Sequence, residues 1–405
     1  MTAPRLLLFD DGRARRWAPF TLTRPAGELL FGCLSLRERA ELVLGARCAG
    51  HVTRAALAGF DEAHAAPVVE LDEGPHDAGR IFLSSRAVLE HQEADLHDGP
   101  ARIEVAGRAA GWLVPPDAQP PPLAWLRDPE SVPRDGPTLE LEGELLEHPW
   151  HLVARNESRI GRDIDRLWQA NDDPPGIVRL GDHGISLGEG AEIEAGVQVD
   201  LRAGPIRLAE GARVEGPARI TGPLYLGPDS TILGGAVGTS SIGPVCLVRG
   251  EVAHSVLLGF VNKAHDGYLG HAILGRWVNL GAFTTNSDLK NNYGTVKVWT
   301  LDGDVDTGLL KVGCFLGDHV KTGIGTVLNT GTVVGAGSNV FGGVMPPTVV
   351  PPFSWGAGVD LRDHRLDKFL ETADRVMGRR GREMPSGVRR LLERAWKDTA
   401  GRRAQ

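Results

Sequence analysis

The sequence predicts a mixed α/β domain followed by a left-handed parallel β-helix of hexapeptide repeats, closed by short C-terminal helices. Three observations predict it. Glycine makes up 53 of 405 residues, well above average usage and without a collagen period, and most of it lies after residue 180. An aliphatic residue then recurs every sixth position. Two amphipathic helical patterns appear where that period stops.

The period is neither helical nor the simple alternation of a strand. It runs through Leu187, Ile193 and Val199, then Leu208, Val214, Ile220, Leu226 and Ile232, and continues at Ile242 and Val248. A later block runs Leu310, Leu316, Thr322, Leu328, Val334 and Val340. A step of six fits a triangular coil with three short strands and three sharp corners. Each anchor points inward and stacks on its neighbours, and Gly or a small polar residue takes the corner. Each coil buries its core only against adjacent coils.

Residues 1–170 read as the α/β domain, with strands at Arg5–Phe9, Ile81–Leu83 and Trp112–Val114 and helices at Leu34–Leu44 and Ser158–Ala170. Residues 171–180, opening with Asn-Asp-Asp-Pro-Pro, read as a linker. The β-helix then occupies 181–358 and the C-terminal helices 359–405, at about Asp363–Met377 and Ser386–Trp396. Those helices are expected to cap the last coil.

The formal net charge is −8 and no long basic block occurs, which argues against a nucleic-acid partner. The arginines after residue 378 read as a solvated helix face. The N-terminal apolar run is too short for a membrane span or a signal core. Cys33, Cys48, Cys246 and Cys314 lack metal spacing and read as free thiols in a reducing cytoplasm.

The period breaks between about 283 and 309, and an insertion leaving a solenoid is often a binding arm. Just before it, stepping by six from Asn262 reaches Tyr268, Leu274, Leu280 and Asn286, so polar groups interrupt or flank the anchor column. His265 precedes Tyr268 by three residues. A neutral His suits general-base work on an attacking amine, and an Asn side chain or backbone N–H suits the tetrahedral oxyanion. Lys263, Lys290 and Lys297 are the nearby cations for a sugar phosphate. His254, His271 and His319 read as ordinary structural histidines.

The segments Lys263–Gly270, Trp277–Ala282 and Thr284–Val298 resemble the acetyltransferase domain of the bifunctional enzyme family that makes UDP-N-acetylglucosamine, in particular its alternative bacterial branch. The resemblance implies transfer of an acetyl group from acetyl-CoA to glucosamine 1-phosphate, with His265, Tyr268 and Asn279 catalytic and Asn286 binding substrate. Ala282, Asp318 and Ala336 fall where that family lines its acetyl-CoA groove. Asp318 replaces a small hydroxyl residue and Phe283 replaces a Gly. A homotrimer with the CoA groove between neighbouring subunits is the expected assembly.

The N-terminal stretch LLLFDDGRARRWAPFTLTRP is similar to the start of a sugar nucleotidyltransferase. Arg16, Pro19, Thr21, Arg24 and Pro25 fit its motif, so the resemblance implies Arg16 and Arg24 as nucleotide ligands, UTP or dTTP as substrate, and Asn156 at a Mg²⁺ position. The Gly-rich loop whose N–H groups would cradle a triphosphate is missing, and Ala26 stands for the usual Lys. Two other readings stay open: a nucleotidyltransferase whose β-helix serves only oligomerisation, and a non-catalytic regulatory trimer.

Overall fold

A computed structural model describes residues 4–71, 74, 76–94, 96 and 99–403. The N-terminal part is built on a six-stranded sheet in the order Cys48–Val52, Arg5–Phe9, Arg80–Ser84, Arg108–Val114, Ala101–Val105, Thr138–Leu141. The first three strands are parallel, and Arg108–Val114 runs antiparallel to both its neighbours. The first helix is Leu36–Leu44. It starts two residues later than expected because Ser35 and Glu38 form a capping box, which satisfies two of the orphan N–H groups of the first turn.

The second part is a parallel β-helix. One side stacks nine strands from Ile185–Leu187 to Val349–Val350, all in parallel register. Another begins at Val178–Leu180, inside the stretch read as a linker, and ends on an antiparallel hairpin, Ser354–Ala357 with Asp360–Asp363. The anchors form one continuous core from Ile185 to Val350, with Val199, Ile220, Ile242, Leu316 and Val340 among its members. No coil has a core of its own, so burial couples neighbouring coils.

Three expected positions depart from the phase. Leu310 is exposed, because it sits in the insertion rather than on a coil. Asn262 and Tyr268 face outward, and the inward series runs one residue later through Leu257, Lys263 and Leu269. A slip of one residue turns a strand inside out, so here a lysine stands where an aliphatic anchor was expected.

The corners also differ from expectation. Val245, Phe260, Trp277, His319 and Phe353 all adopt left-handed backbone conformations with φ between 52 and 64°. Such a backbone costs a non-Gly residue about 1–3 kcal/mol. Here the corner side chains are stacked: Phe260 on Trp277 at 4.0 Å, Trp277 near His319 at 6.3 Å. Aromatic contact of this kind contributes about 0.5–1.5 kcal/mol per pair, which offsets part of the strain.

The two parts are joined by a shared core. Val256, Ile273, Phe315 and Val333, each one residue before an anchor, point out of the coils and pack with Trp17, Phe20, Phe31 and Leu36. Phe20 meets Phe315 edge-on at 6.4 Å. The insertion folds into a hairpin, Lys297–Thr300 with Gly303–Asp306, whose Val296 and Val298 enter the same core. The C-terminal helices, Leu366–Gly378 and Ser386–Asp398, pack Phe369 on Phe353 of the last coil at 5.0 Å. They also reach Leu57 and Phe60 of the N-terminal part, so they clamp as well as cap.

Candidate functional site

His265 lies on an exposed turn between the strands Asn262–Lys263 and Tyr268–Gly270. The Lys263 side chain points into the coil and is buried. Its Nζ donates to the His265 carbonyl, and burial lowers its pKa to about 8. Lys263 therefore props the His265 turn from within and is not placed to meet a phosphate outside. Arg249, an exposed cation one coil below, faces Asp266 at 3.4 Å. Phe283 N donates to Asp266 O at 2.9 Å and Gly325 N to Ala282 O at 2.8 Å, so His265, Ala282 and Ile324 share one corner in successive coils.

Asn279 sits above Asn262 in parallel register. The Asn262 amide donates to Asn279 Oδ1 at 2.9 Å. That bond assigns the amide orientation and leaves Asn279 Nδ2 as a donor toward the surface. Asn286 is buried: it accepts from Gly270 N and donates to Gly270 O, both at 2.9 Å. It pins one coil to the next and is not a surface ligand, contrary to its expected role. Lys290 donates to Thr295 O at 2.6 Å inside the insertion, and Lys297 lies exposed on its hairpin. The three lysines therefore do not converge.

A second group of polar side chains lies at the next corner, at the far end of the strand Tyr268–Gly270 from His265. Asp288 Oδ2 accepts from the Tyr268 hydroxyl and meets His271 Nδ1, each at 2.7 Å. The His271 ring stacks on His254 at 4.7 Å, and His254 faces Glu157 at 3.7 Å. Burial alone would raise the Asp288 pKa, but the bonds from His271 and Tyr268 outweigh it and hold the carboxyl below its usual range. Burial, then the bond to Asp288, pushes the Tyr268 phenol up. Gly270 is required here, since a Cβ would lie 2.1 Å from Tyr268 Oη. His271 and Asp288 were not singled out in the sequence: His271 read as structural, and the repeat phase is lost after Asn286.

Asp318 and Ala336 occupy a different corner, and it is covered. Asp318 accepts from Thr23 Oγ1 at 2.7 Å and from Arg24 Nε at 3.1 Å. Arg24 also grips Glu62 at 2.8 Å, and Glu62 binds Arg276 at 2.6 Å. Arg24 is only 1% exposed; burial opposes its charge, but the two carboxylates outweigh this and raise its pKa. Its donors are taken up by carboxylates, so it joins the two parts of the chain and is not free for a nucleotide. Ala336 is buried as well, below Phe353, whose N–H donates to its carbonyl at 2.8 Å. The three expected groove positions are thus split between two corners: Ala282 at an exposed one, and Asp318 and Ala336 at one covered by the N-terminal part and the C-terminal helices, where a cavity of about 400 Å³ remains beside Asp318, Arg276 and Trp277.

The N-terminal expectations are corrected in the same way. Arg16 pairs with Asp302 of the insertion hairpin rather than with the Arg24 cluster. After the first strand, Asp11 Oδ1 accepts from Arg13 N at 3.0 Å and Ala14 N at 2.9 Å, and Arg86 Nε binds its Oδ2 at 2.8 Å. The backbone donors of that turn are filled by the chain's own carboxylate. Asn156 does not fit a Mg²⁺ site. Its Oδ1 accepts from Gly32 N at 2.9 Å and Ser241 Oγ at 3.1 Å, and the neighbouring carboxylate, Asp163, is taken up by Cys33 N and Arg39, whereas Mg²⁺ asks for free carboxylates, phosphates and waters. No group of three or more His, Cys, Asp or Glu among the described residues is placed to hold a metal ion. Also among the described residues, all four cysteines are buried and unpaired, and no helix is long and apolar enough to cross a membrane.

Comparison with known proteins places these features. Residues 6–171 match the sugar nucleotidyl transferase family. A bifunctional sugar-1-phosphate nucleotidylyltransferase/acetyltransferase of Sulfurisphaera tokodaii is 32% identical over 95 residues, 24% of either chain. The bifunctional protein GlmU of an Azoarcus species is 30% identical over 200 residues, 48% of this chain and 39% of that one. The match therefore spans less than half the length of these curated relatives. A UDP-N-acetylglucosamine acyltransferase structure from Campylobacter jejuni aligns with 54% of this chain and 94% of its own at 15% identity, with a TM-score of 0.25.

Proposed function

We propose that this chain, related by sequence to the bifunctional sugar-1-phosphate nucleotidylyltransferase/acetyltransferases, is a transferase that moves an acyl group from a CoA thioester to the amine of a sugar 1-phosphate. The observation that carries this reading is the exposed His265 turn beside Tyr268 and Asn279. The amine attacks the thioester carbonyl. His265 takes a proton as the N–C bond forms, Asn279 Nδ2 donates to the oxyanion, and the C–S bond breaks to release the thiol. Arg249, exposed and facing Asp266 of this turn, is the cation for the phosphate in this reading. Acetyl-CoA and glucosamine 1-phosphate are the substrates the relatives suggest.

The acyl donor lies along the Ala282 corner in this reading, because the Asp318 carboxylate is already taken up by Thr23 and Arg24. Phe283, Ile324, Val344 and Trp355 leave exposed apolar surface on the C-terminal coils, which suits a second copy of the chain. A homotrimer is the assembly proposed, and four unpaired cysteines suit a reducing cytoplasm. The match of residues 6–171 to the sugar nucleotidyl transferase family supports nucleotide or nucleotide-sugar binding by the N-terminal part, with little or no nucleotidyl transfer, since Asp11 fills the turn a triphosphate would occupy.

The deciding experiment follows free thiol release from acetyl-CoA across a panel of amino-sugar 1-phosphates, with light scattering for the assembly. No release with any acceptor would overturn the acyltransferase reading, and a monomer at micromolar concentration the trimer. Calorimetric titration with UTP, dTTP and UDP-sugars tests the N-terminal part. Pyrophosphate release at about 1–10³ per second would show that Asp11 does not block the site.

A further inference from the structure

Resting on the acyl-transfer reading, we infer that His271, oriented by Asp288, is a second proton acceptor of the site, and that it takes the ammonium proton of an amino-sugar acceptor. The stoichiometry asks for such a group. An amino sugar arrives partly as R–NH₃⁺, which cannot attack. One proton must leave before the N–C bond forms and another as the amide forms. The first passes to His271 and the second to His265. The C–S bond breaks, the thiolate takes up one proton, and the other returns to solvent, so each turnover releases one thiol and one proton.

The geometry supports this division. The His265 ring is exposed, and no hydrogen bond of its ring nitrogens is seen among the described residues. His271 is held at Nδ1 by Asp288 at 2.7 Å. With a carboxylate at Nδ1, that nitrogen carries the proton and Nε2 keeps its lone pair. Nε2 has no partner among the described residues and is not among the sealed, unpaired atoms of the chain. The Asp288 bonds run through Oδ2, which leaves Oδ1 as an acceptor and negative charge for an incoming ammonium. Tyr268 ties the pair to the His265 side of the coil. The other charged or titratable groups facing His271 and Asp288 are His254, Glu157 and Lys311. The site therefore selects an amine acceptor over a hydroxyl one.

The test compares kcat/KM of the full chain with an amino-sugar 1-phosphate at about pH 6.5 and about pH 9, for the wild type, His271→Asn, Asp288→Asn and His265→Ala. Asp288→Asn is nearly isosteric and keeps the question open to measurement should His271→Asn fail to fold. Loss of this acceptor is expected to lower kcat/KM roughly 10²-fold at the lower pH, shrinking to a few-fold at the higher pH, where the amine is already neutral. His265→Ala is expected to lose activity equally at both. An equal loss at both pH values in His271→Asn and Asp288→Asn would mark the pair as structural and overturn the inference, as would no loss at the lower pH. A wild type that releases no thiol at all would instead overturn the acyl-transfer reading, and this inference with it.

Discussion

Two corners of the same triangular coil have opposite fates. At one, His265, Ala282 and Ile324 follow each other up the solenoid and remain open to solvent. At the other, Trp277, Asp318 and Ala336 do the same and are covered by Thr23, Arg24 and the C-terminal helices, which leave only a cavity of about 400 Å³. Both are built from the same repeat with the same backbone geometry. The repeat makes columns; what packs against a column decides whether it meets substrate or stays structural.

The comparison can be broken at either corner. At the open one, His265→Ala should lower the rate of thiol release by roughly 10²–10⁴, the usual size of a general-base contribution, with the fold intact. An unchanged rate in a folded protein would show that the open corner is not the catalytic one. At the covered one, Arg24→Ala leaves Asp318 and Glu62 short of a buried partner and should cost about 3–5 kcal/mol of stability. Urea unfolding reads this. A loss below about 1 kcal/mol would mean that the two parts are not held together by this cluster.

Lys263 sharpens the contrast, because it serves the open corner from inside the core. Its folded pKa, about 8, is depressed from 10.5. Below pH 8 the lysine is charged in both states, and the folded state bears the full burden of burying that charge. Between pH 8 and 10.5 the unfolded chain binds more protons, so stability rises with pH across that window. Lys263→Met should remove the slope and raise stability at pH 7 by about 3 kcal/mol. Denaturation curves at pH 7 and 9.5 with the same slope as the wild type would contradict this.

Much of the fold was legible. The period of six marked the β-helix because inward anchors must be apolar whatever surrounds the coil. The covered face had a signal too: Val256-Leu257, Ile273-Leu274, Phe315-Leu316 and Val333-Val334 pair an inward anchor with an apolar neighbour that must point out. Read as repeat alone, those neighbours were passed over. Asn279 and Tyr268 lie on the strands that flank the His265 corner, but Lys263 and Asn286 turn inward. The five-residue side from Leu269 to Leu274 shifts the phase here, and no count of six reveals which side is short.

By itself the sequence determined the solenoid, the break at the insertion and the His265 turn, because these depend on local period and on residues close in the chain. Only the tertiary structure decided that Arg24 joins Asp318, that Asp11 fills its own turn, and that Asp288 orients His271. Arg24 and Asp318 lie 294 residues apart. A buried guanidinium beside a carboxylate and an exposed one awaiting a phosphate are written with the same letter; burial and the neighbouring charge, both products of long-range packing, set which of the two it is.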